Sequence, residues 1–371
     1  MEQMLFAGIL AFLITLFSIP KIIYVSEKKN LFDNPDAIRK LHTRPISSLG
    51  GTGIFLGFIV SVLLTGNLSG VAEFPYYIAS FILIFFIGIK DDIVEISAFK
   101  KFVGQSLIAF ILMFKAHLLI TDMHGFLGLT HIYTSFSFFL TFFTFIVVIN
   151  AFNLIDGIDG LAASLGLISA LVFGTFFLVN HDLPYAVLGF GFAGSLGAFL
   201  IYNFQPAKIF MGDTGSLLMG VVNSILVIKF ISAGPGYTAF SLSAVPAIGF
   251  SILLIPLMDT LRVFAIRILH RRSPFSADRN HIHHLLLDRG LMHKTIVFMC
   301  IAASILFITA TFLLQNIGTT LLITGLVACF FIIIYSIRKV PVKLPMRIIK
   351  IDSNIHSDSE DDNFASAGSI K

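Results

Sequence analysis

Residues 136–152 read FSFFLTFFTFIVVINAF and contain no charged side chain. A helix needs about 20 predominantly apolar residues to cross the hydrocarbon core of a bilayer. This stretch is therefore a predicted transmembrane helix, and similar apolar runs occur along most of the chain. Together they predict eleven spans, at residues 4–25, 49–66, 72–89, 103–120, 136–152, 161–179, 184–202, 214–231, 239–258, 296–314 and 319–337.

The composition of the whole chain agrees with this reading. Of its 371 residues, 56% are hydrophobic and 12% are charged. Ordinary soluble domains are about 45–50% apolar and about 25% charged. The composition excludes a soluble enzyme, a nucleic-acid-binding protein and a disordered chain, and it predicts an all-α polytopic membrane protein. The net charge of +4 reflects topology rather than a nucleic-acid partner, because basic residues collect on cytoplasmic loops.

The distribution of lysine and arginine predicts the orientation of the spans. All of these residues except Lys115 and Lys229 fall on or next to one side of the predicted topology. The positive-inside rule makes that side cytoplasmic. With an odd number of spans, the N-terminus is predicted outside and the C-terminus inside. Residues 1–340 form the predicted membrane domain, with an active site at its cytoplasmic face, and residues 341–371 form a basic and then acidic, Ser-rich tail that is predicted to be disordered.

The acidic residues indicate where that active site lies. More than half of the 21 carboxylates fall at cytoplasmic span ends or in cytoplasmic loops, although topology does not demand it. Asp91 and Asp92 directly follow a long apolar run, where two adjacent carboxylates repel each other and lose hydration. A nearby cation would relieve both effects. The alternative is a pair of solvated residues that cap the next helix.

A second acidic motif follows the fifth predicted span. Asn153, Asp156 and Asp159 are spaced by three, and on a helix they would share one face. Oxygen ligands of this kind are what Mg²⁺ prefers. The alternative is a glycine-rich turn in which the aspartates act as caps. The motif also has a faint likeness to a calcium loop, but it lacks the glutamate at the twelfth position.

A third motif, FMGDTGS at residues 210–216, predicts a glycine-rich turn that opens a helix. Backbone N–H groups at such a helix start favour anions, including phosphate. The motif is not a Walker A loop, because no Gly-Lys-Ser/Thr follows. The alternative is simple capping of the helix by Asp213 or Thr214.

Two basic segments complete the set. Arg279, His281, His283 and His284 belong to a basic loop that is suited to a pyrophosphate. Its alternatives are a loop that only sets orientation, or a zinc site formed by the three histidines. The other segment carries the basic side chains Lys40, His42 and Arg44 ahead of Leu49-Gly50-Gly51. Its alternative is again an orientation loop.

All five motifs fall on the predicted cytoplasmic face. Carboxylates suited to Mg²⁺, basic groups suited to phosphates and an adjoining bilayer indicate one chemistry. In that chemistry a phosphorylated sugar nucleotide from the cytosol meets a lipid phosphate in the membrane.

At these residues the sequence resembles the polyprenyl-phosphate N-acetylhexosamine-1-phosphate transferases, which form glycosyltransferase family 4. The resemblance covers about residues 1 to 340, and the five motifs occur in family order. The segment DRNHIHHLLL at residues 278–287 is similar to the branch that uses GlcNAc-1-phosphate and undecaprenyl phosphate.

The resemblance implies that UDP-N-acetylhexosamine and polyprenyl phosphate react to give polyprenyl-pyrophosphoryl-sugar and UMP. It implies Mg²⁺, with Mn²⁺ as an alternative, held by Asp213, Asn153 and Asp156. The residues implied in catalysis are Asp91, Asp92, Asp156, Asp159, His283 and His284. Those implied in substrate binding are Lys40, Arg44, Lys101, Asn203, Phe210, Arg279 and His281.

The resemblance also implies a multi-pass protein of the bacterial inner membrane that forms a homodimer and begins the synthesis of a cell-surface polysaccharide. GlcNAc is the expected sugar, and phospho-MurNAc-pentapeptide or another N-acetyl sugar is the alternative. A secondary transporter is a remote rival, since transporters place such carboxylates near the bilayer midplane within inverted repeats. A non-catalytic protein that binds lipid carriers is a second rival.

Overall fold

The structure is a computed structural model that describes residues 2–29, 31, 46–65, 71–233, 242–273 and 280–342. The predicted substrate-binding residues Lys40, Arg44 and Arg279 lie outside the described residues. So does nearly all of the predicted tail at 341–371, for which disorder stays a prediction.

The described chain is almost entirely helical. Its α-helices are α1 Glu2–Lys29, α2 Gly50–Thr65, α3 Phe74–Ile93, α4 Ala98–Phe114, α5 Thr134–Ile155, α6 Leu161–Val179, α7 Leu183–Asn203, α8 Gly212–Ala233, α9 Val245–Ile252, α10 Leu254–Leu269, α11 Ile282–Leu287, α12 His293–Leu313 and α13 Thr319–Lys339. In the described ranges, eight of these helices are long and apolar enough to cross a membrane. The prediction of an all-α, multi-pass membrane protein is confirmed, whereas the count of eleven spans and the sides of the two termini stay predictions.

Helix α8 occupies the centre of the bundle and packs between α3 and α5. Two glycines allow this close approach. A Cβ on Gly88 of α3 would lie 2.4 Å from the Cα of Thr214, and one on Gly220 of α8 would lie 2.4 Å from the Cα of Ile149 on α5. Small residues at such crossings let helix backbones approach closely inside a membrane. The crossings bring the end of α3 and the start of α8 to one place.

Two predicted spans are wrong in detail. The span predicted at 239–258 is not one helix, because α9 and α10 meet at Leu253 and α10 continues to Leu269. The span predicted at 103–120 lies too far along the chain, since α4 is Ala98–Phe114. Hydropathy excluded Lys100 and Lys101 from that span. A long lysine side chain near a helix end extends its charge away from the apolar stem, however, and so fits within the first turns.

A short β-hairpin, which the sequence analysis did not predict, follows α4. Strand β1 (Asp122–Phe126) pairs antiparallel with strand β2 (Leu129–His131). Gly125 near the end of β1 and Gly128 in the turn have φ values of +80° and +77°, which glycine adopts without steric cost. The hairpin contacts the start of α13, where the hydroxyl of Thr320 accepts the N–H of Leu127 at 2.7 Å.

Candidate active site

The end of α3 is bonded directly to the start of α8. Asp92 accepts the backbone N–H of Asp213 at 2.7 Å and that of Thr214 at 3.0 Å, together with the Thr214 hydroxyl at 2.5 Å. The start of a helix leaves backbone N–H groups without partners, and here a carboxylate from another helix satisfies two of them. The third motif therefore does open a helix, but its cap comes from α3 rather than from Asp213 or Thr214.

Asp91 faces a different partner. The Nζ atom of Lys101, in the second turn of α4, lies 2.5 Å from Asp91 Oδ2 and 2.5 Å from Asp213 Oδ2. The other oxygen of Asp91 accepts the N–H of Ile96 at 2.8 Å. One ammonium group thus bridges carboxylates from α3 and α8. Asp91 thus has the nearby cation that was predicted for the aspartate pair, whereas Asp92 has other partners.

Helix α5 brings an amide to the same carboxylates. The Asn153 side chain donates to Asp213 Oδ1 at 3.1 Å and to the Ser216 hydroxyl at 3.0 Å. The prediction that Asn153, Asp156 and Asp159 share one helix face is wrong, because α5 ends at Ile155. The chain then turns through Gly160 at φ +79° before α6 begins at Leu161.

Asp156 follows α5 directly and lies close to the other carboxylates. Burial raises its pKa to about 7, and the negative charges of Asp213, Asp92 and Asp159 add to the shift. A carboxyl group whose pKa is raised by burial and by neighbouring carboxylates is a frequent mark of a functional site.

Asp159 turns towards the segment that follows α7. It is buried and accepts the N–H of Ala207 at 3.2 Å, while His293 Nδ1 lies 3.8 Å from the same oxygen. Asn203 is buried beside it, accepting the N–H of Gly160 at 2.9 Å and donating to the carbonyl of Ile209 at 3.0 Å. Both side chains hold the loops that surround the carboxylates, and their predicted contacts with substrate stay predictions.

Phe210 belongs to a backbone pairing between two segments. Its N–H donates to Ser47 O at 2.8 Å, and its carbonyl accepts the N–H of Gly50 at 2.9 Å. Gly51 is also required here, since a Cβ on it would lie 2.1 Å from the N atom of Gly215. The Leu49-Gly50-Gly51 end of the second basic segment therefore lies against the start of α8.

The histidine segment begins with a side chain that is bonded inside the protein. His281 is buried, with its Nδ1 atom 2.9 Å from Asp259 Oδ2 and its Nε2 atom 3.5 Å from Arg267 Nη2. Because both nitrogens have partners in the protein, the zinc alternative for this segment is disfavoured. Among the described residues, no group of three His, Cys, Asp or Glu side chains is arranged to hold a metal ion.

His283 packs against the turn that carries Asp156. A Cβ on Gly157 would lie 2.2 Å from His283 Nε2, so only glycine leaves room for this ring. Burial and the neighbouring His284 lower the pKa of His283 to about 3, and the ring is neutral near pH 7. The ring centroids of His283 and His284 are 4.3 Å apart. The structure thus brings the histidine segment into contact with the motif that contains Asn153, Asp156 and Asp159.

A cavity of about 110 Å³ adjoins the lysine and the amide. Two of its lining residues are bonded to each other, since Asn150 donates to Gln105 Oε1 at 2.9 Å. Its lining residues are Ala98, Lys101, Phe102, Gln105, Asn150, Asn153 and Leu154. The site therefore has an open volume beside its carboxylates.

Comparison with known proteins identifies the group to which this arrangement belongs. Residues 74–231 match the family model described as glycosyl transferase family 4. The chain is 31% identical over 323 residues to the decaprenyl-phosphate N-acetylglucosaminephosphotransferase of Mycobacterium leprae, covering 81% of this chain and 80% of that one. The chain belongs to glycosyl transferase family 4.

Two further relatives of this family 4 transferase cover as much of its length. One is the probable undecaprenyl-phosphate N-acetylglucosaminyl 1-phosphate transferase of Bacillus subtilis, at 30% identity over 85% of this chain and 87% of the relative. The other is the undecaprenyl-phosphate alpha-N-acetylglucosaminyl 1-phosphate transferase of Pasteurella multocida, at 31% identity over 89% and 91%. The protein is a phosphosugar transferase of the membrane.

Some residues of the site in this family 4 transferase were not singled out from the sequence. Asp259 anchors His281, and Gln105 pairs with Asn150. Asp259 left a signal, because it is a carboxylate at the end of an apolar run. Gln105 left none, since a single amide side chain within an apolar run does not by itself indicate a site.

Proposed function

We propose that the protein transfers GlcNAc-1-phosphate from UDP-GlcNAc to a polyprenyl phosphate and releases UMP. The observation that carries the proposal is the bridge formed by Lys101 between Asp91 and Asp213, at 2.5 Å on each side. It combines cationic and anionic groups at one point, as a reaction between two phosphates requires.

The relatives support the identity of the two substrates. Those of Mycobacterium leprae, Bacillus subtilis and Pasteurella multocida are named for N-acetylglucosamine and for a decaprenyl or undecaprenyl phosphate. A phospho-MurNAc-pentapeptide donor, or another N-acetyl sugar, is the alternative outcome of the test below. We place the protein in the bacterial inner membrane, with the site at the cytoplasmic face, where a nucleotide sugar is available.

The donor set fits a magnesium ion. Mg²⁺ is usually bound by one or two carboxylates and completes its shell with water and substrate phosphates. The ion would be held by Asp213, Asn153 and Asp156. Asp213 Oδ1 lies 3.1 Å from Asn153 Nδ2, and the negative charge of Asp213 acts on the carboxyl group of Asp156. When bound, the ion would neutralise charge on the pyrophosphate of the donor and on the departing UMP.

Asp91 and Lys101 are assigned to the acceptor. An oxygen of the lipid phosphate attacks the phosphorus that carries the sugar, and the bond from that phosphorus to the oxygen of UMP breaks. A phosphate monoester has a second pKa of about 6, so it is largely a dianion at neutral pH and needs little help from a base. Asp91 therefore orients the acceptor more than it deprotonates it, and Lys101 stabilises the equatorial oxygens. A covalent intermediate on Asp91 is the alternative route.

His283 and His284 are assigned to the donor. They lie on α11, and His283 packs against Gly157 beside Asp156. A neutral imidazole still donates one hydrogen bond, which suits a pyrophosphate or sugar oxygen. Asp159, Asn203 and Phe210 shape the loops on the same side and are assigned to the nucleotide and sugar end of the donor.

The test is lipid-dependent UMP release. Purified protein in detergent is incubated with undecaprenyl phosphate, Mg²⁺ and a panel of UDP-sugars. One control adds EDTA, and a second uses the Asp213→Asn variant. We expect UMP from UDP-GlcNAc alone, abolished by EDTA and by Asp213→Asn, and retained in Glu95→Gln, which changes an exposed carboxylate of the adjacent loop. Release from a different sugar would overturn the assignment of the donor, and release that persists in EDTA would overturn the role of the metal.

A further inference from the structure

The carboxylate of Asp259 on α10 is fully buried and accepts hydrogen bonds from three donors. Oδ2 faces His281 Nδ1 at 2.9 Å, and Oδ1 accepts the N–H of Ile282 at 2.9 Å and Arg262 Nη2 at 2.8 Å. Removing a carboxylate from water costs several kcal/mol unless it is fully paired, and here it is. Asp259 is therefore built into the protein as an acceptor.

These bonds determine which nitrogen of His281 carries a proton. A carboxylate only accepts, so Nδ1 donates to Asp259, and a guanidinium only donates, so Nε2 presents its lone pair to Arg267. His281 is buried, and both of its ring nitrogens face partners within the protein. This arrangement favours a supporting role for His281 over its predicted contact with substrate.

The same bonds determine where α11 starts. Asp259 holds the N–H of Ile282, the first residue of α11, and Arg262 Nη2 also donates to the carbonyl of Asn280. Residues 280–282 are thus tied to α10 at three successive positions. The residues that follow directly are His283 and His284.

These bonds also set the distance between α11 and the turn that carries Asp156. His283 has room beside Gly157 only because that residue has no Cβ, which would lie 2.2 Å from Nε2. A displacement of α11 by one ångström would separate the imidazole from the turn that carries Asp156 or press it into that turn. Misplacement on this scale costs on the order of 100-fold in rate.

We propose that Asp259 is a positioning residue for the transfer reaction, acting through His281 and the start of α11 to hold His283 and His284 against the Asp156 turn. The inference rests on the proposed function. Asp259 touches neither substrate in this scheme, and its effect on turnover passes through the two histidines.

The decisive substitution is Asp259→Asn, which preserves volume. All three partners of Asp259 are donors, so in either orientation the amide NH₂ faces another donor. To accept from that amide, His281 would have to move its proton to Nε2, which faces Arg267. We expect kcat to fall about 10- to 100-fold, as for other residues that orient a reacting group, with the KM for UDP-GlcNAc changed less than about threefold.

Two measurements separate positioning from general destabilisation. In hydrogen exchange read by mass spectrometry, Asp259→Asn should raise exchange in peptides covering residues 281–288 and leave α12 unchanged. In a His283→Ala/His284→Ala background, Asp259→Asn should lower kcat by less than about twofold, because residues that act as one unit are strongly non-additive. Asp288→Asn, the same chemical change just after α11, serves as the matched control.

The outcomes divide clearly. Full loss in both backgrounds, or unchanged exchange at 281–288, would overturn the positioning role. If the wild-type protein is active and Asp259→Asn is equally active, the positioning role is overturned and the proposed function stands. A wild-type protein that is silent on every donor, while Asp259→Asn still raises exchange at 281–288, would instead overturn the proposed function and the catalytic part of this inference with it.

Discussion

Asp92 on α3 accepts both the backbone N–H and the hydroxyl of Thr214 on α8, at 3.0 and 2.5 Å. With the N–H of Asp213 as a third donor, both of its oxygens are occupied by the start of α8. Its neighbour Asp91 faces Lys101 instead. The two adjacent carboxylates, which the sequence presents as a pair, thus have different partners.

The first prediction separates these two aspartates. Asp92→Asn places an amide against N–H donors and should destabilise the fold by about 1–2 kcal/mol, as the loss of a helix cap does. Asp91→Asn should leave the unfolding temperature nearly unchanged and lower kcat by about 100-fold, because the acceptor phosphate loses a group that orients it. Thermal unfolding in detergent and UMP release measure the two effects, with Glu95→Gln as the control. The reverse pattern would contradict this division of roles.

The second prediction concerns the bridging lysine. Lys101→Gln removes the ammonium between Asp91 and Asp213, so kcat should fall by about 100-fold or more, the usual loss for one preorganised charge-stabilising donor. Lys100→Gln is the matched control, because the neighbouring lysine is exposed. UMP release at saturating donor distinguishes them. Equal losses in both variants would show that the effect comes from the net charge of the surface.

The third prediction follows from the pKa of His283, which is lowered to about 3. An unfolded histidine titrates near 6.5, so below that pH the unfolded state binds more protons than the folded state. Stability should therefore fall as the pH drops from about 6.5 towards 3. The loss in unfolding temperature between pH 7.5 and 5 should be smaller in His283→Gln than in the wild type.

The control for this pH effect is His181→Gln, which changes an exposed histidine in the turn after α6. Its loss in unfolding temperature should equal that of the wild type. If His283→Gln also behaves like the wild type, His283 is not buried in its neutral form.

The fourth prediction tests the crossing of α3 and α8. Gly88→Ala places a methyl group 2.4 Å from the Cα of Thr214, a backbone atom that cannot move aside cheaply. Such overpacking costs about 1–3 kcal/mol, and it would also separate Asp92 from Thr214. Gly325→Ala on α13 has open space around the new methyl and should be neutral. An unfolding temperature for Gly88→Ala equal to that of Gly325→Ala would contradict the close crossing.

Much of the fold was predictable because apolar length is a property of sequence. The runs that became α1, α3, α5 and α8 follow directly from hydropathy, since a helix must be apolar over its whole length to lie in lipid. The break at Leu253 was not predictable in this way, because α9 and α10 together read as one apolar run. The start of α4 was missed for a related reason, as its lysines lowered the local hydropathy.

The sequence predicted several members of the candidate site but not its geometry. Polar side chains at the ends of apolar runs cost desolvation free energy and are therefore candidates for function. On this ground the sequence indicated Asp91, Asp92, Asn153, Asp156 and Asp213. The sequence by itself determined the helical membrane class and the side chains that gather at one face.

Only the tertiary structure decided which of those side chains meet. It assigned Asp92 to the start of α8, Lys101 to the gap between two carboxylates, and Asp259 to the histidine segment. The physical reason is that hydropathy depends on each residue and its neighbours along the chain. A hydrogen bond between helices depends instead on how closely their backbones approach, and glycines such as Gly88 set that distance for helices far apart in sequence.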